Sequence, residues 1–440
     1  MSTSPSGLPK QFLFAMFQGS GNIPPILTVA RQLIARGHHV RIIAGPGLDH
    51  PTRPVSAAFL EGIRTIGAAL VPFAQWPDPV PIIPTQRGFF RGWTPSMYAV
   101  NAFVARRFQA TPIWARNVTE ALHRQPTDVV VADFLLLGAL AAAEAAAIPA
   151  AALWHTIYHR PIPDVPPYGP GFLPLRRPVG WLRDTLGHAV IRRVHARESL
   201  PVLNQTRTQL GLRPLRSSFQ QYDAAARVLI MTSPAFDYDS RSLPPNVRHV
   251  GMPFDDPGSA SWESPWTTDD TRPLILVSFS TAPQGQAEPL RRTLKALSTL
   301  PVRGLVTLGP ALSADAFEAP ENVVLTAFAP HALILPQASA IVSQCGHGTV
   351  MKTLAHGIPL VCLPLVGDQS DVAARVVHAG AGIRVPRDAS PRHIRTALQR
   401  VLSEPSFRHG AQRLAKAMAT EDGAKTAGEE LAMLATRESS

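Results

Sequence analysis

The sequence predicts an α/β protein: two Rossmann-like, doubly wound parallel-sheet domains in succession, facing each other across a cleft. Three observations carry this. Short apolar runs alternate with helix-patterned segments along most of the chain, as in parallel sheets with crossover helices. The alternation breaks at Pro253–Arg272, an acidic, Ser- and Pro-rich stretch without periodicity that reads as an interdomain linker. Each half also contains a strand, a glycine turn and a helix in that order. The 440 residues suffice for two domains of about 200 residues each. The expected division is 1–252, linker 253–272, 273–420, and a tail 421–440 that can return to the N-terminal domain.

The elements follow in order. Gln11–Phe17 is a buried strand turned by Gly19-Ser20-Gly21. Pro24–Arg36 is a helix with Leu27, Ala30, Leu33 and Ile34 on one face, ended by Gly37. His39–Ala44, Ala69–Phe73 and Asp128–Ala132 are the next strands. Leu135–Ala147 is an Ala-rich helix, Ala150–His155 a strand, and Arg227–Thr232 the last strand of the first half. Residues 85–120 and 160–220 read as helices and loops inserted above the sheet. They carry Phe89, Phe90, Trp93, Tyr98, Phe103, Trp114, Phe172, Trp181 and Phe219, with Tyr158 just ahead of the second insert. In the second half, Leu274–Phe279, Gly304–Leu308 and Val323–Ala327 are strands, Ala287–Ser298 a helix and His331–Gln337 a short helix. Arg392–Leu402 and Phe407–Met418 are amphipathic closing helices.

Composition narrows the function classes. No apolar run reaches the ~18–20 residues of a membrane span; Phe134–Ala152 comes nearest but contains Glu144 and Pro149. MSTSPSGLPKQ lacks the charged and apolar regions of a secretory signal. Two cysteines, Cys345 and Cys362, give no disulfide framework and fit a reducing cytoplasm. The net charge of +11 comes from dispersed Arg rather than a basic block, and no nucleic-acid motif accompanies it. A positive field suits anionic ligands such as nucleotide diphosphates.

The most informative stretch is IVSQCGHGTVMKTLAHGIPLVCLPLVGDQ, Ile341–Gln369. A β-branched run is broken by Gly346-His347-Gly348-Thr349, a helix follows to Ala355, and Gly357-Ile358-Pro359 stops it before a second apolar strand. The glycines therefore sit at a helix N-terminus, where free N–H groups and the helix dipole favour an anion. Asp368-Gln369 lies beyond a strand's carboxyl end, where open α/β sheets bind ligands. A phosphate cradle with an acid–amide pair beside it outlines a nucleotide-sugar site.

Three blocks in this half resemble the donor signature of the nucleotide-sugar glycosyltransferases of plant secondary metabolism and bacterial antibiotic glycosylation. They are Phe328-Ala329-Pro330-His331, then Gln344 through Thr349, then Asp368-Gln369, collinear and at family-like spacing. The resemblance extends over about residues 10–420, because Leu243-Pro244-Pro245-Asn246-Val247 through Gly251 also fits. It implies the GT-B architecture, with an N-terminal acceptor domain and a C-terminal donor domain. It implies Gly346, His347, Gly348 and Thr349 at the diphosphate, Gln344 at the position of a phosphate-contacting His, and Ser280 and Thr281 near the phosphates. Phe328 takes the base-stacking position, and Asp368 and Gln369 read sugar hydroxyls. Lys352, where plant relatives carry a Glu, is expected in the first turn of the phosphate helix, adding charge near the diphosphate.

The acceptor base departs from the family pattern. The usual His after the first strand is replaced by Asn22, in Gly21-Asn22-Ile23-Pro24-Pro25, and an amide is no base near neutral pH. Asp133 matches the partner acid. Asp133 acting directly, His155 serving instead, or an acceptor acidic enough to need little help all remain open. The expected function is inverting, metal-independent transfer from a UDP- or dTDP-sugar to a lipophilic small molecule, without cofactor or nucleic-acid partner. The alternative is a nucleotide-sugar binder or accessory subunit without activity. Neither the oligomeric state nor the sugar is legible.

Overall fold

The computed structural model describes residues 8–436 apart from 20, 49–53, 74–96, 177, 255–260 and 281–282. The first half runs β1 (Gln11–Phe17), α1 (Ile23–Ala35), β2 (His39–Gly45), α2 (Ala57–Thr65), β3 (Ala69–Val71), α3 (Met97–Arg107), α4 (Thr111–Arg124) and β4 (Val129–Asp133). It continues α5 (Leu137–Ala145), β5 (Ala150–Trp154), α6 (Val179–Glu198), α7 (Leu200–Gln209), α8 (Gln220–Asp223), β6 (Arg227–Ile230) and β7 (Val247–His249). The second half runs β8 (Leu274–Ser278), α9 (Ala287–Leu297), β9 (Arg303–Thr307), β10 (Val323–Thr326), α10 (His331–Ile334), β11 (Ala338–Ser343) and α11 (His347–Ala355). It closes with β12 (Leu360–Cys362), α12 (Gln369–His378), β13 (Gly382–Arg384), α13 (Pro391–Ser403), α14 (Pro405–Met418) and α15 (Gly423–Thr436).

The strands form two parallel sheets, ordered β3-β2-β1-β4-β5-β6-β7 and β10-β9-β8-β11-β12-β13. Both are α/β domains of the predicted class. Strands β4, β5 and β8 are buried along their whole length, because helices cover both faces; this is why they read as unbroken apolar runs. Strand order reverses between β1 and β4 in the first sheet and between β8 and β11 in the second. Such switch points open a crevice beyond the carboxyl ends of the strands. The loop after β1, the end of β4 and the turn from β11 into α11 all lie there.

Four elements went unread from the sequence. The strands β7 and β13 have three residues each and carry Arg248, His249 and Arg384, so they lack an apolar signature. α2 is capped by Ser56, whose hydroxyl accepts from the Phe59 N–H at 3.3 Å. α15 lies within residues read only as a tail. Its Ala427, Leu431 and Leu434 join Ile26, Val29 and Leu33 of α1 in one apolar cluster. Arg36 pairs with Glu429 at 3.2 Å and Arg227 with Glu430 at 2.7 Å, holding the last helix against the first sheet. Among the described residues no helix is long and apolar enough to cross a membrane.

Leu431 is fully buried in that cluster, so Leu431→Ala should lower unfolding free energy by about 2–4 kcal/mol, lost apolar burial plus a residual cavity. Denaturant unfolding checks it; a loss within error would mean that α15 contributes nothing to the first domain.

Candidate functional site

The amino-terminal wall of the crevice is built from the ends of β1, β4 and β5. In the register between β4 and β5, Asp133 stands opposite Leu153, so the residue two beyond it, His155, emerges beside the Asp133 carboxylate. His155 Nδ1 lies 3.2 Å from Asp133 Oδ2; the aspartate side chain is 0% exposed and the histidine 16%. Asn22, just before α1, donates from Nδ2 to the same Oδ2 at 3.0 Å and to the Phe17 carbonyl at 3.1 Å. The Leu135 N–H reaches Asp133 Oδ1 at 3.0 Å. The buried carboxylate is thus hydrogen-bonded through both oxygens, as its desolvation demands. Gly19 makes room for this: a Cβ there would stand 2.3 Å from Asn22 Oδ1. The three residues singled out for acceptor chemistry therefore converge.

The opposite wall is the turn into α11. Cys345 adopts a left-handed backbone conformation, φ 67°, that a non-glycine residue rarely holds, and Gly346 then caps the helix without a side-chain bond to its amides. A Cβ on Gly348 would meet nothing within 4 Å, so the space over the first turn is open. Two polar side chains of the turn, Gln344 and His347, are engaged elsewhere. Oriented to satisfy both its ends, the Gln344 carboxamide donates to the Ser278 carbonyl at 2.9 Å and accepts from the Ser280 N–H at 3.1 Å, tying the ends of β8 and β11 together. His347 turns its ring to the other domain, with Nε2 2.7 Å from Thr232 Oγ1; burial pushes its pKa down to about 3, leaving the ring neutral.

Between the walls, α12 makes the seam. Asp368, at its start, accepts from the Thr156 hydroxyl at 2.5 Å, and Thr156 is the neighbour of His155. Thr232 Oγ1 in turn lies 3.2 Å from the Thr156 carbonyl. Gln369 Oε1 accepts from the Leu365 and Val366 N–H groups at 2.8 and 2.9 Å, and its Nε2 donates to Gln284 at 2.8 Å. Farther along, Asp371 accepts from the Gly169 N–H at 2.8 Å, and Arg375 binds Asp237 at 2.6 Å. Gly171 is pressed so close that a Cβ would be 2.2 Å from the Ser370 carbonyl oxygen. Burial pushes the Asp371 carboxyl up to about 7, against the pull of Arg375. Asp237 is buried too, yet the Arg375 guanidinium holds its carboxyl well below the usual range.

The remaining predicted residues are distributed as follows. Phe328 is 78% exposed, so its ring is not core packing. His331 starts α10 with Nε2 3.2 Å from Thr307 Oγ1. Ser280 is buried at the end of β8, and Thr281 lies outside the described residues. Lys352 belongs to the last turn of α11, not the first; five residues beyond His347, it is displaced by about 8 Å along the axis from the N-terminal amides. The insert aromatics Phe103, Trp114 and Phe219 are core residues rather than a lining, while Phe89, Phe90 and Trp93 lie outside the described residues. Thr156, Thr232 and Gln284 were not singled out beforehand; each acts through a partner distant in sequence, and nothing local marks them. Among the described residues, no group of three or more His, Cys, Asp or Glu is placed to hold a metal.

Residues 291–433 match the C-terminal domain described as erythromycin biosynthesis protein CIII-like. Over 418 residues the chain is 30% identical to 4'-demethylrebeccamycin synthase of Lentzea aerocolonigenes, covering 93% of this chain and 96% of that one. The chain belongs to the GT-B nucleotide-sugar glycosyltransferases. The fold agrees: the calicheamicin glycosyltransferase CalG4 superposes with a TM-score of 0.72 at 20% identity, over 98% of this chain and 100% of that one. The glycosyltransferase VinC, solved in complex with dTDP, gives 0.69 at 17% identity, over 97% and 100%. Relatives from antibiotic biosynthesis, such as demethyllactenocin mycarosyltransferase of Streptomyces fradiae, are transferases, and nothing supports an inactive binding protein. The glycosyltransferase thus has Asn22 where the family pattern has a histidine.

The seam has a testable pH signature. Because the Asp371 carboxyl titrates near 7 when folded and near about 4 when unfolded, its contribution to stability is full below pH 4 and fades as pH rises through 7. Asp371→Asn can keep the Gly169 bond through its carbonyl oxygen without ionising. The variant should match the parent's melting temperature in acid and exceed it above pH 7; a difference that does not change with pH would overturn this.

Proposed function

We propose that this glycosyltransferase performs a single inverting displacement, moving a sugar from a dTDP- or UDP-sugar to a lipophilic small molecule, with His155 as the base. The observation that carries the reading is the position of His155. Its ring is the accessible member of the cluster, it abuts the buried Asp133 carboxylate, and its chain neighbour Thr156 touches the donor-side Asp368.

The chemistry follows from these positions. Asp133, fully buried and 3.2 Å from Nδ1, stabilises the imidazolium that forms when Nε2 takes the acceptor proton. Asn22 shares Asp133 Oδ2 and remains neutral, so the carboxylate's charge is left to the histidine. Opposite, the amides of the first turn of α11, which no side chain caps, suit the charge building on the departing diphosphate, which leaves no step that requires a metal. Base and leaving-group cradle stand on opposite walls, an arrangement suited to one displacement and hence inversion. Asp368 already accepts one hydroxyl, that of Thr156, as it would a sugar hydroxyl. The Gln369 amide, committed to backbone and Gln284, supports that loop. Phe328 presents an exposed ring for the nucleobase. The dTDP complex of VinC supports a thymidine donor.

His155→Ala should lower kcat by ~10²-fold or more while donor KM stays near the parent value, the scale of a lost general base. Parent-like turnover of an alcohol acceptor by that variant would remove His155 from the mechanism. Asp368→Ala should weaken binding of the nucleotide-sugar but not of the free nucleoside diphosphate. Calorimetry with both ligands reads this directly, and equal losses would refute a role in reading hydroxyls.

A further inference from the structure

Helix α6 has two apolar sides, and the fold uses one. Gly187, Ile191 and Val194 are buried inward, where Gly187 admits Pro167 and Met97 so closely that a Cβ would be 2.5 Å from the proline ring. Outward, Val179, Leu182, Leu186 and Val190 form a stripe at helical spacing, with Trp181 beside it and Leu175 just ahead. Trp181 is 57%, Leu182 54% and Leu186 60% exposed. Most of the large apolar side chains left exposed among the described residues fall between positions 173 and 190. A face of this kind marks an interaction surface.

Its rim identifies the partner's chemistry. Arg176, Arg192, Arg193 and Arg197 are exposed around the stripe and along its continuation. The neighbouring acids are engaged: Asp184 with Arg183 at 2.8 Å, and Glu198 with Arg106 at 3.3 Å and with the rim's own Arg197 at 3.8 Å. Tryptophan and leucine on one side of a helix, with arginines at its edge, are the composition of a segment that lies in a bilayer interface and is drawn to anionic headgroups. A second copy is a poorer occupant, because each chain carries a net +11.

We infer that the outer face of α6 docks this enzyme on an anionic lipid surface. The docked face adjoins the site. A cavity of about 360 Å³ opens beside Trp181, and its wall residues Pro166 and His188 also bound a smaller space lined by Tyr158, Asp371 and Arg375. A membrane-dissolved acceptor would thus meet the enzyme on the side of the loop that follows His155. That consequence rests on the lipophilic acceptor proposed above; the docking does not.

Vesicle flotation of the full chain tests it, with phosphatidylcholine vesicles containing phosphatidylglycerol set against vesicles of phosphatidylcholine alone. The parent should float with the anionic vesicles, and L182D/L186D should weaken binding at least about tenfold through lost apolar insertion. R193E/R197E should abolish the preference for anionic lipid, whereas M433D, an exposed apolar position on α15, should float as the parent does. Unchanged melting temperatures and dTDP-induced stabilisation certify that the variants are folded, and none of these readouts requires turnover. Absence of flotation with anionic vesicles, or parent-like flotation of L182D/L186D, overturns the proposal. A parent dimer in sedimentation that L182D/L186D converts to monomer overturns it too, because the face would then join two copies.

Discussion

The Arg375–Asp237 ion pair is the contact on which the geometry of the crevice depends. It joins α12, which begins with the donor-side Asp368 and Gln369, to the segment between β6 and β7 of the first sheet. Both side chains are nearly fully buried, so their desolvation is offset only by close geometry. The structure supplies it: a 2.6 Å bond, His249 3.3 Å from the other carboxylate oxygen, and the Tyr238 ring 4.2 Å from the guanidinium carbon. Removing one partner of such a pair costs about 3–5 kcal/mol, because the other is left buried and uncompensated. With its second half fixed in this way, α12 holds its first turn at hydrogen-bonding distance from Thr156 and Gly169. The wall that carries Asp368 is thereby set against the wall that carries Asp133 and His155.

The amide at position 22 takes its meaning from that arrangement. A histidine there would share one carboxylate with a second histidine, His155, in a desolvated setting, and two imidazoles cannot both draw the full benefit of one charge. The asparagine donates hydrogen bonds to Asp133 and to the Phe17 carbonyl and adds no titrating group. The replacement of a histidine at one position is thus paired with a histidine one residue past the neighbouring strand.

What the sequence disclosed follows the physical range of each signal. Unbroken apolar runs announced β4, β5 and β8, because a strand covered on both faces must be apolar throughout. The strand–glycine–helix of Ile341–Gln369 was legible for the same reason that it suits phosphate: a sharp turn into a helix needs glycine. Three-residue edge strands such as β13 carry no comparable pattern. Lys352 was placed a turn too early because the helix start was read at Thr349 instead of His347. The proximity of Asp133 and His155 is a register effect between β4 and β5, visible only once the strands are known to be neighbours. The Thr156–Asp368 bond joins positions 212 apart, and single-sequence periodicity has no purchase on such a contact.

The donor signature divides its labour in an unexpected way. Gln344, His347 and Gln369 are three of the polar side chains a motif reading would aim at the ligand, yet each is engaged with the protein: Gln344 with the end of β8, His347 through Nε2 with Thr232, Gln369 with the loop that precedes it. What they leave without a side-chain cap is backbone, the amides after Gly346. Backbone donors cannot rotate away or change protonation state, and the three side chains lock the loops that carry them. A charged histidine at position 344 would add attraction for a diphosphate but would give up the bonds that tie β8 to β11. The neutral amide favours a rigid turn over an electrostatically stronger one.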